Sequence, residues 1–218
     1  MNVLIACEES QTVCKAFRDL GIEAYSNDIQ DCSGAHPEWH LKMDVFNAIK
    51  LKKWDLMIAH PPCTYLTYAG MKNWYDDGRA EKRITAAMFF MDLYNSNILY
   101  VCVENPRGIM SKIFRNPDQE IHPYYFGDKE MKRTCLWLKN LPKLNYQIQN
   151  DLFSLKTATT HPLPSFVHIR KKTGKLKKRY FVDGFTNEGI RTSKEKSKTF
   201  PSIARAMAEQ WGNFLLNQ

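Results

Sequence analysis

Three short apolar runs, each ending in a polar cluster, constrain this chain more than any other feature. They are residues 2–7 (NVLIAC), 54–59 (WDLMIA) and 98–103 (ILYVCV). Runs of this length, bounded by turn-forming or charged residues, read as fully buried strands. A weaker run at residues 22–26 reads as a further strand ending at Asn27-Asp28. Between them, Val13, Ala16, Phe17 and Leu20 recur at helical spacing until Gly21 stops the helix. Residues 45–51 give a helical turn or two. Residues 79–94 form the clearest helix, for which Ile84, Ala87, Met88, Met91 and Tyr94 are the predicted apolar face. Residues 133–138 (RTCLWL) predict a later strand, and residues 202–216 a final helix with Ile203, Ala206, Met207, Trp211 and Leu215 on one side. This alternation predicts an α/β domain with a mainly parallel sheet.

Open parallel sheets bind ligands beyond the carboxyl ends of their strands. Here those ends carry Glu8-Glu9-Ser10, Asp28, Asp44, His60-Pro61-Pro62-Cys63 and Glu104-Asn105-Pro106. A cysteine at a strand end after two prolines is a candidate nucleophile, and a carboxylate ending the next strand is a candidate proton donor. Thiolate formation near neutral pH needs a nearby cation, for which His60, Lys132 and Arg133 are the candidates.

These residues resemble the DNA cytosine-5 methyltransferase family, and the likeness runs over nearly the whole chain. Pro62-Cys63 resembles its Pro-Cys nucleophile loop, and Glu104-Asn105 its Glu-Asn-Val motif with Pro106 in place of valine. Lys132-Arg133 resembles the basic motif that supports that loop. Residues 25–28 and Met43-Asp44 resemble the segments that hold the cofactor's ribose and adenine, and residues 197–201 the C-terminal motif that returns to the cofactor site. Within the family the chain is most similar to short stand-alone phage and prophage proteins.

The resemblance implies a Rossmann-like S-adenosylmethionine-dependent methyltransferase fold with a small basic β-rich lobe. Residues 1–141 and 197–218 would form the catalytic domain, and residues 142–196 a reduced recognition lobe. Cys63, Glu104 and Arg133 would be catalytic. Cys7, Glu8, Glu9, Ser10, Asp28, Asp44, Pro61 and Thr199 would line the cofactor site. The family's glycine-rich first motif is absent, so residues 7–11 would either frame the cofactor or partly fill its place. An amino-methyltransferase is disfavoured, because Cys63 stands where that chemistry places an aromatic. A catalytically idle fold that binds nucleic acid or protein, and an enzyme acting on RNA or free nucleotide, are the alternatives.

The formal charge of +8 is local: residues 170–198 hold eleven Lys/Arg against three acids, which is the whole excess. Strands at residues 166–169 and 180–182 flank Lys171, Lys172, Gly174 and Lys175 and predict a basic hairpin. With Lys177, Lys178 and Arg179, it would face DNA phosphates. The six cysteines form no Cys-x-x-Cys pair, which predicts no zinc site and a reducing cytoplasm, that of a bacterial host if the chain is phage-encoded. No run approaches 18 apolar residues, so no membrane span is expected.

Overall fold

The computed structural model describes residues 1–68, 75–128, 131–146, 166–169, 174, 176–179, 185–186, 189–190 and 198–218. Seven strands form one sheet: β1 (Asn2–Ala6), β2 (Glu23–Asp28), β3 (His40–Lys42), β4 (Leu56–Ala59), β5 (Tyr100–Pro106), β6 (Gln119–Ile121) and β7 (Thr134–Lys139). Their order is β3-β2-β1-β4-β5-β7-β6. The first five are parallel to one another, and β7 runs antiparallel between β5 and β6. The fold is therefore the expected α/β, Rossmann-like one.

Strand β1 sits centrally because it is apolar on both faces. Val3 and Ile5 point into one core layer, with Val13 and Phe17 of helix α1 (Thr12–Asp19) and Ile203, Met207 and Trp211 of helix α5 (Pro201–Leu216). Leu4 and Ala6 point into the other, with Val45 and Ala48 of α2 (Val45–Leu51) and Ala87, Phe90 and Leu93 of α3 (Arg79–Tyr94). A short helix, α4 (Met110–Ile113), follows β5. The chain winds from β1 outward to β3, then returns to the other side of β1 with β4. The switch point thus lies between β1 and β4, where the carboxyl ends diverge and leave a crevice.

Three expectations are corrected. In α1, Cys14 is buried and Leu20 is half exposed at the helix end, so the buried set is Val13, Cys14 and Phe17. In α3, Ile84 and Met88 are 61% and 54% exposed, and the buried face is Ala87, Phe90 and Leu93. Residues 86–91 are wholly apolar, so periodicity selects no face there. The sheet selects it, because the Phe90 ring meets Trp137 of β7 edge-on at 5.0 Å. In the basic segment, Phe166–Ile169 pairs antiparallel with Leu176–Arg179 rather than with residues 180–182, which lie outside the described residues. Gly174, at φ 62°, lies between the two strands.

The start of the expected lobe packs on the sheet domain. Leu144 is buried in the α1–α5 layer, and the Trp211 indole donates to the Pro142 carbonyl at 2.9 Å. All six cysteines are unpaired. Among the described residues, no helix is long and apolar enough to cross a membrane.

Candidate functional site

Strand β4 is buried throughout and delivers the chain to the sheet's carboxyl edge, where the His60 amide closes on the Ala6 carbonyl at 2.9 Å. Beyond it the backbone is held at three points. The Asn105 side-chain amide donates to the Pro61 carbonyl at 2.9 Å. The Cys63 carbonyl accepts from Leu66 N and Thr67 N at 3.0 and 2.9 Å, winding the loop tightly after the cysteine. Gly108 then approaches the loop's far side: Ile109 N donates to the Leu66 carbonyl at 2.8 Å, and Thr67 bridges to Gly108. A Cβ on Gly108 would lie 1.9 Å from the Leu66 oxygen, so only glycine fits there. Cys63 is thereby held, half-buried, beyond the carboxyl end of β4.

Its charged neighbours come from two other elements, Glu104 from β5 and Lys132 from the segment before β7. Burial raises the Cys63 thiol, the Glu104 charge raises it further, and Lys132 opposes both. Burial alone would raise Glu104 too. The His60 hydrogen bond, from Nδ1 to Oε2 at 2.9 Å, together with Lys132 outweighs it and leaves the carboxyl below its ordinary range. The pair therefore rests as a neutral thiol beside a carboxylate, with one transferable proton on sulfur. Arg133 takes no part in this balance, because its Nε faces Glu120 Oε2 at 3.5 Å on the sheet's outer edge. Lys132 is the cation at the site, and its Nζ also donates to the Lys198 carbonyl at 3.3 Å. That bond brings the residue beside Thr199 to the β7 end of the edge.

On the other side of the crevice, Cys7, Asp28 and Asp44 converge. Burial pushes the Cys7 thiol up to about 12, and both aspartates add to it. Asp44 caps α2 by accepting from Phe46 N at 2.9 Å. Asn27 sets its position, donating to the Leu41 and Met43 carbonyls at 2.7 and 2.9 Å while its own carbonyl takes the Glu8 amide.

The loop between β1 and α1 makes its turn without glycine. Cys7 and Gln11 both adopt left-handed backbone, at φ 59° and 60°. Side-chain bonds hold that cost in place. Glu8 is buried and turned back onto α1, accepting from Val13 N at 2.7 Å and Cys14 N at 3.2 Å. Ser10 donates weakly to Glu8, and Glu9 accepts from Ser33 N at 3.2 Å. Gln11 bonds both the amide and the carbonyl of His36. Glu8, Glu9 and Ser10, expected either to frame a cofactor or to fill part of its place, make these bonds within the loop and to the elements beside it.

Three buried polar atoms at this edge, Asn27 Oδ1, His60 Nε2 and Asn105 Oδ1, have no hydrogen-bond partner among the described residues. Such atoms are rare and mark places where a ligand or water completes the structure. With Asp28 and Asp44 they make an acceptor-rich edge. That chemistry fits the hydroxyls, amino groups and positive sulfonium of a nucleoside-type methyl donor. It does not seat the donor's carboxylate on the α1 amides, which Glu8 already fills.

Sequence reasoning missed the capping role of Glu8, the anchoring roles of Asn27 and Gln11, and the close approach at Gly108. The last had a signal, a glycine two residues after Pro106. A groove of about 490 Å³ runs from Pro62, Thr64 and Tyr65 to Glu81, Thr85 and Phe89 of α3. Tyr68 packs into the α3 layer, Tyr75 is almost fully exposed, and Trp74 lies outside the described residues. Lys171, Lys172 and Lys175 also lie outside them. Lys177, Lys178 and Arg179 fall on a described strand. No group of three or more metal-ligating side chains occurs among the described residues.

No protein-family model matches this sequence, and no curated protein matches it. Among solved structures, a similar chain is one assigned as a DNA modification methyltransferase encoded within a prophage, from E. coli. It is 14% identical over 63% of this chain, with a TM-score of 0.40. The present chain spans 46% of that one's length. At this identity and score the likeness carries no argument about activity.

Proposed function

We propose that the chain is a methyltransferase of the cytosine-C5 type acting on DNA, with Cys63 as nucleophile, Glu104 as proton shuttle and S-adenosylmethionine as methyl donor. One observation carries this reading. Adjacent strand ends present a half-buried thiol and a buried carboxylate that feel each other's charge and share one cation, Lys132.

The arrangement suits addition to an electron-poor ring. Glu104 takes the thiol proton from Cys63, sulfur bonds to ring C6, and the proton passes from Glu104 to ring N3. The thiol's proton thus ends on the ring, and the charge of the site is unchanged. C5 becomes nucleophilic as an enamine. Lys132 stabilises the transient thiolate, and Asn105 holds the loop at the required distance. Asp28 and Asp44 would hold the donor's ribose and adenosine side, and the donor supplies an electrophilic methyl to C5. Loss of the C5 proton to water, expulsion of the thiolate and return of the N3 proton through Glu104 to the Cys63 sulfur complete the turnover, so that one proton is released and the neutral thiol is restored. The base must leave the helix stack to reach such a crevice. The basic segment would supply phosphate contacts through Lys171, Lys172, Lys175, Lys177, Lys178 and Arg179.

The test is transfer of a labelled methyl group from S-adenosylmethionine to cytosine-containing DNA, with covalent trapping on a 5-fluorocytosine duplex. Wild type should transfer and trap through Cys63, while Cys63→Ala does neither and stays folded. Equal transfer by Cys63→Ala would end the C5 reading. One observation favours the alternative, a nucleic-acid-binding fold without transfer: Glu8 already occupies the amides at the start of α1. DNA binding with no calorimetric signal for the methyl donor would establish that alternative.

A further inference from the structure

His60 is the residue at this edge that neither the nucleophile nor the acid role absorbs. It follows β4 directly, and its ring is nearly buried, with 11% of the side chain exposed. Nδ1 meets Glu104 Oε2 at 2.9 Å, and Nε2 has no partner among the described residues. A histidine kept only for packing would not leave a buried ring nitrogen unpaired, because an unmade buried hydrogen bond is destabilising. The groups facing it come from every neighbouring element. Glu104 approaches from β5, Glu8 from the β1–α1 loop, and Cys63 lies further along its own loop, while Lys132 acts on Glu104 from before β7. A buried carboxylate is costly unless a donor or cation meets it, and His60 supplies the donor to Glu104. Arg133, which the resemblance offered as a catalytic residue, faces Glu120.

We propose that His60 is a positioning residue that holds Glu104 as an oriented carboxylate through the hydrogen bond from its Nδ1. This deepens the C5 reading and rests on it for its catalytic meaning. Glu104 can accept the Cys63 proton only while ionised, and it can deliver that proton to N3 only while one oxygen is fixed by Nδ1 and the other is free. No proton is consumed at His60 itself. It keeps its hydrogen bond throughout, and the transferred proton travels from sulfur through Glu104 to the ring.

The experiment follows the Glu104 side-chain carboxyl through a pH titration by carbon-13 NMR in the intact protein, assigned with Glu104→Gln. Wild type should titrate below the ordinary glutamate value of about 4.3. In His60→Phe, which keeps ring volume without a donor, the midpoint should rise above that of wild type, because burial is then opposed by Lys132 alone. In His60→Gln, which restores a neutral donor, it should lie between the two. If His60→Phe does not fold, the His60→Gln displacement alone decides. An unchanged Glu104 midpoint in the folded variants overturns the proposal. Kinetics then separate the two claims. Where wild type transfers methyl, His60→Phe should lower kcat at least tenfold with little change in the donor's KM, and His60→Gln should recover part of the loss. Methyl transfer by wild type with neither midpoint nor kcat altered sinks the His60 role and leaves the C5 reading standing. A shifted midpoint in a protein that never transfers methyl sinks the C5 reading and leaves the positioning role.

Discussion

Gly108→Ala is the sharpest probe of how the Cys63 loop is held. The added Cβ would sit 1.9 Å from the Leu66 carbonyl oxygen and 2.8 Å from its carbon. An ordinary C···O contact is about 3.3 Å, so the two backbones must separate by more than roughly 1 Å. Both partners are main chain, and no side chain can rotate away to relieve the clash. Overpacking of this kind costs about 1–3 kcal/mol. Separation also breaks the 2.8 Å bond from Ile109 N to Leu66 O, which adds about 1 kcal/mol. The sum is about 2–4 kcal/mol, and at about 2–4 °C per kcal/mol for a chain of this length, Tm should fall by roughly 4–16 °C. The functional loss should be larger than the stability loss, because displacing a reacting group by about 1 Å costs on the order of 100-fold in rate. Differential scanning calorimetry gives the first quantity. Methyl transfer at a temperature where the variant is fully folded gives the second, and the rate of Cys63 alkylation reports the loop independently of substrate. A variant with wild-type Tm and wild-type alkylation would show that Gly108 does not clamp the loop, and the packing argument would fail.

Alkylation of Cys63 by iodoacetamide, followed against pH by mass spectrometry, should have a midpoint above that of an ordinary thiol; Glu104→Gln should lower it and Lys132→Met should raise it. Coincident profiles for all three proteins would show that neither charge reaches the sulfur. Glu8 is raised by burial, so the folded state holds its proton more tightly and stability falls as pH rises from the ordinary carboxyl value through the raised one. Glu104 has the opposite sign: its contribution is present above the ordinary value and is lost as pH falls through its lowered one. Urea denaturation between pH 4 and 8 should therefore show Glu8→Gln gaining on wild type as pH rises, and a pH-independent difference would contradict this assignment. Replacing Lys171, Lys172, Lys177 and Lys178 by alanine should flatten the salt dependence of duplex binding by up to about 3.6, at about 0.9 per phosphate contact. Unchanged affinity and slope on two unrelated duplexes would leave the hairpin without a DNA role.

What the sequence determined by itself is the edge on which the chemistry-bearing residues stand. Burial of residues 3–6, 56–59 and 101–103 follows from local composition, and the turn that follows each run is written in Glu8-Glu9, Pro61-Pro62 and Asn105-Pro106. Local patterns of this sort fix strand ends, and parallel connectivity then brings those ends together. Cys63, Glu104, Asp28 and Asp44 were legible for that reason. Only the tertiary structure decided which partner each polar side chain takes. Lys132 and Arg133 are neighbours in sequence, yet one faces Lys198 and the site while the other faces Glu120, because successive residues entering a strand point to opposite sides. Glu8 reads as a cofactor-facing acid until α1 turns its first amides toward it. His60 reads as one cation among three until β5, paired beside β4, places Glu104 within 2.9 Å. The face of α3 was undetermined in its all-apolar middle and was settled by Trp137, a residue about fifty positions away. Non-local pairing and the direction of a side chain across a strand are properties of packed surfaces. A linear pattern carries the strand ends and leaves those pairings to the fold.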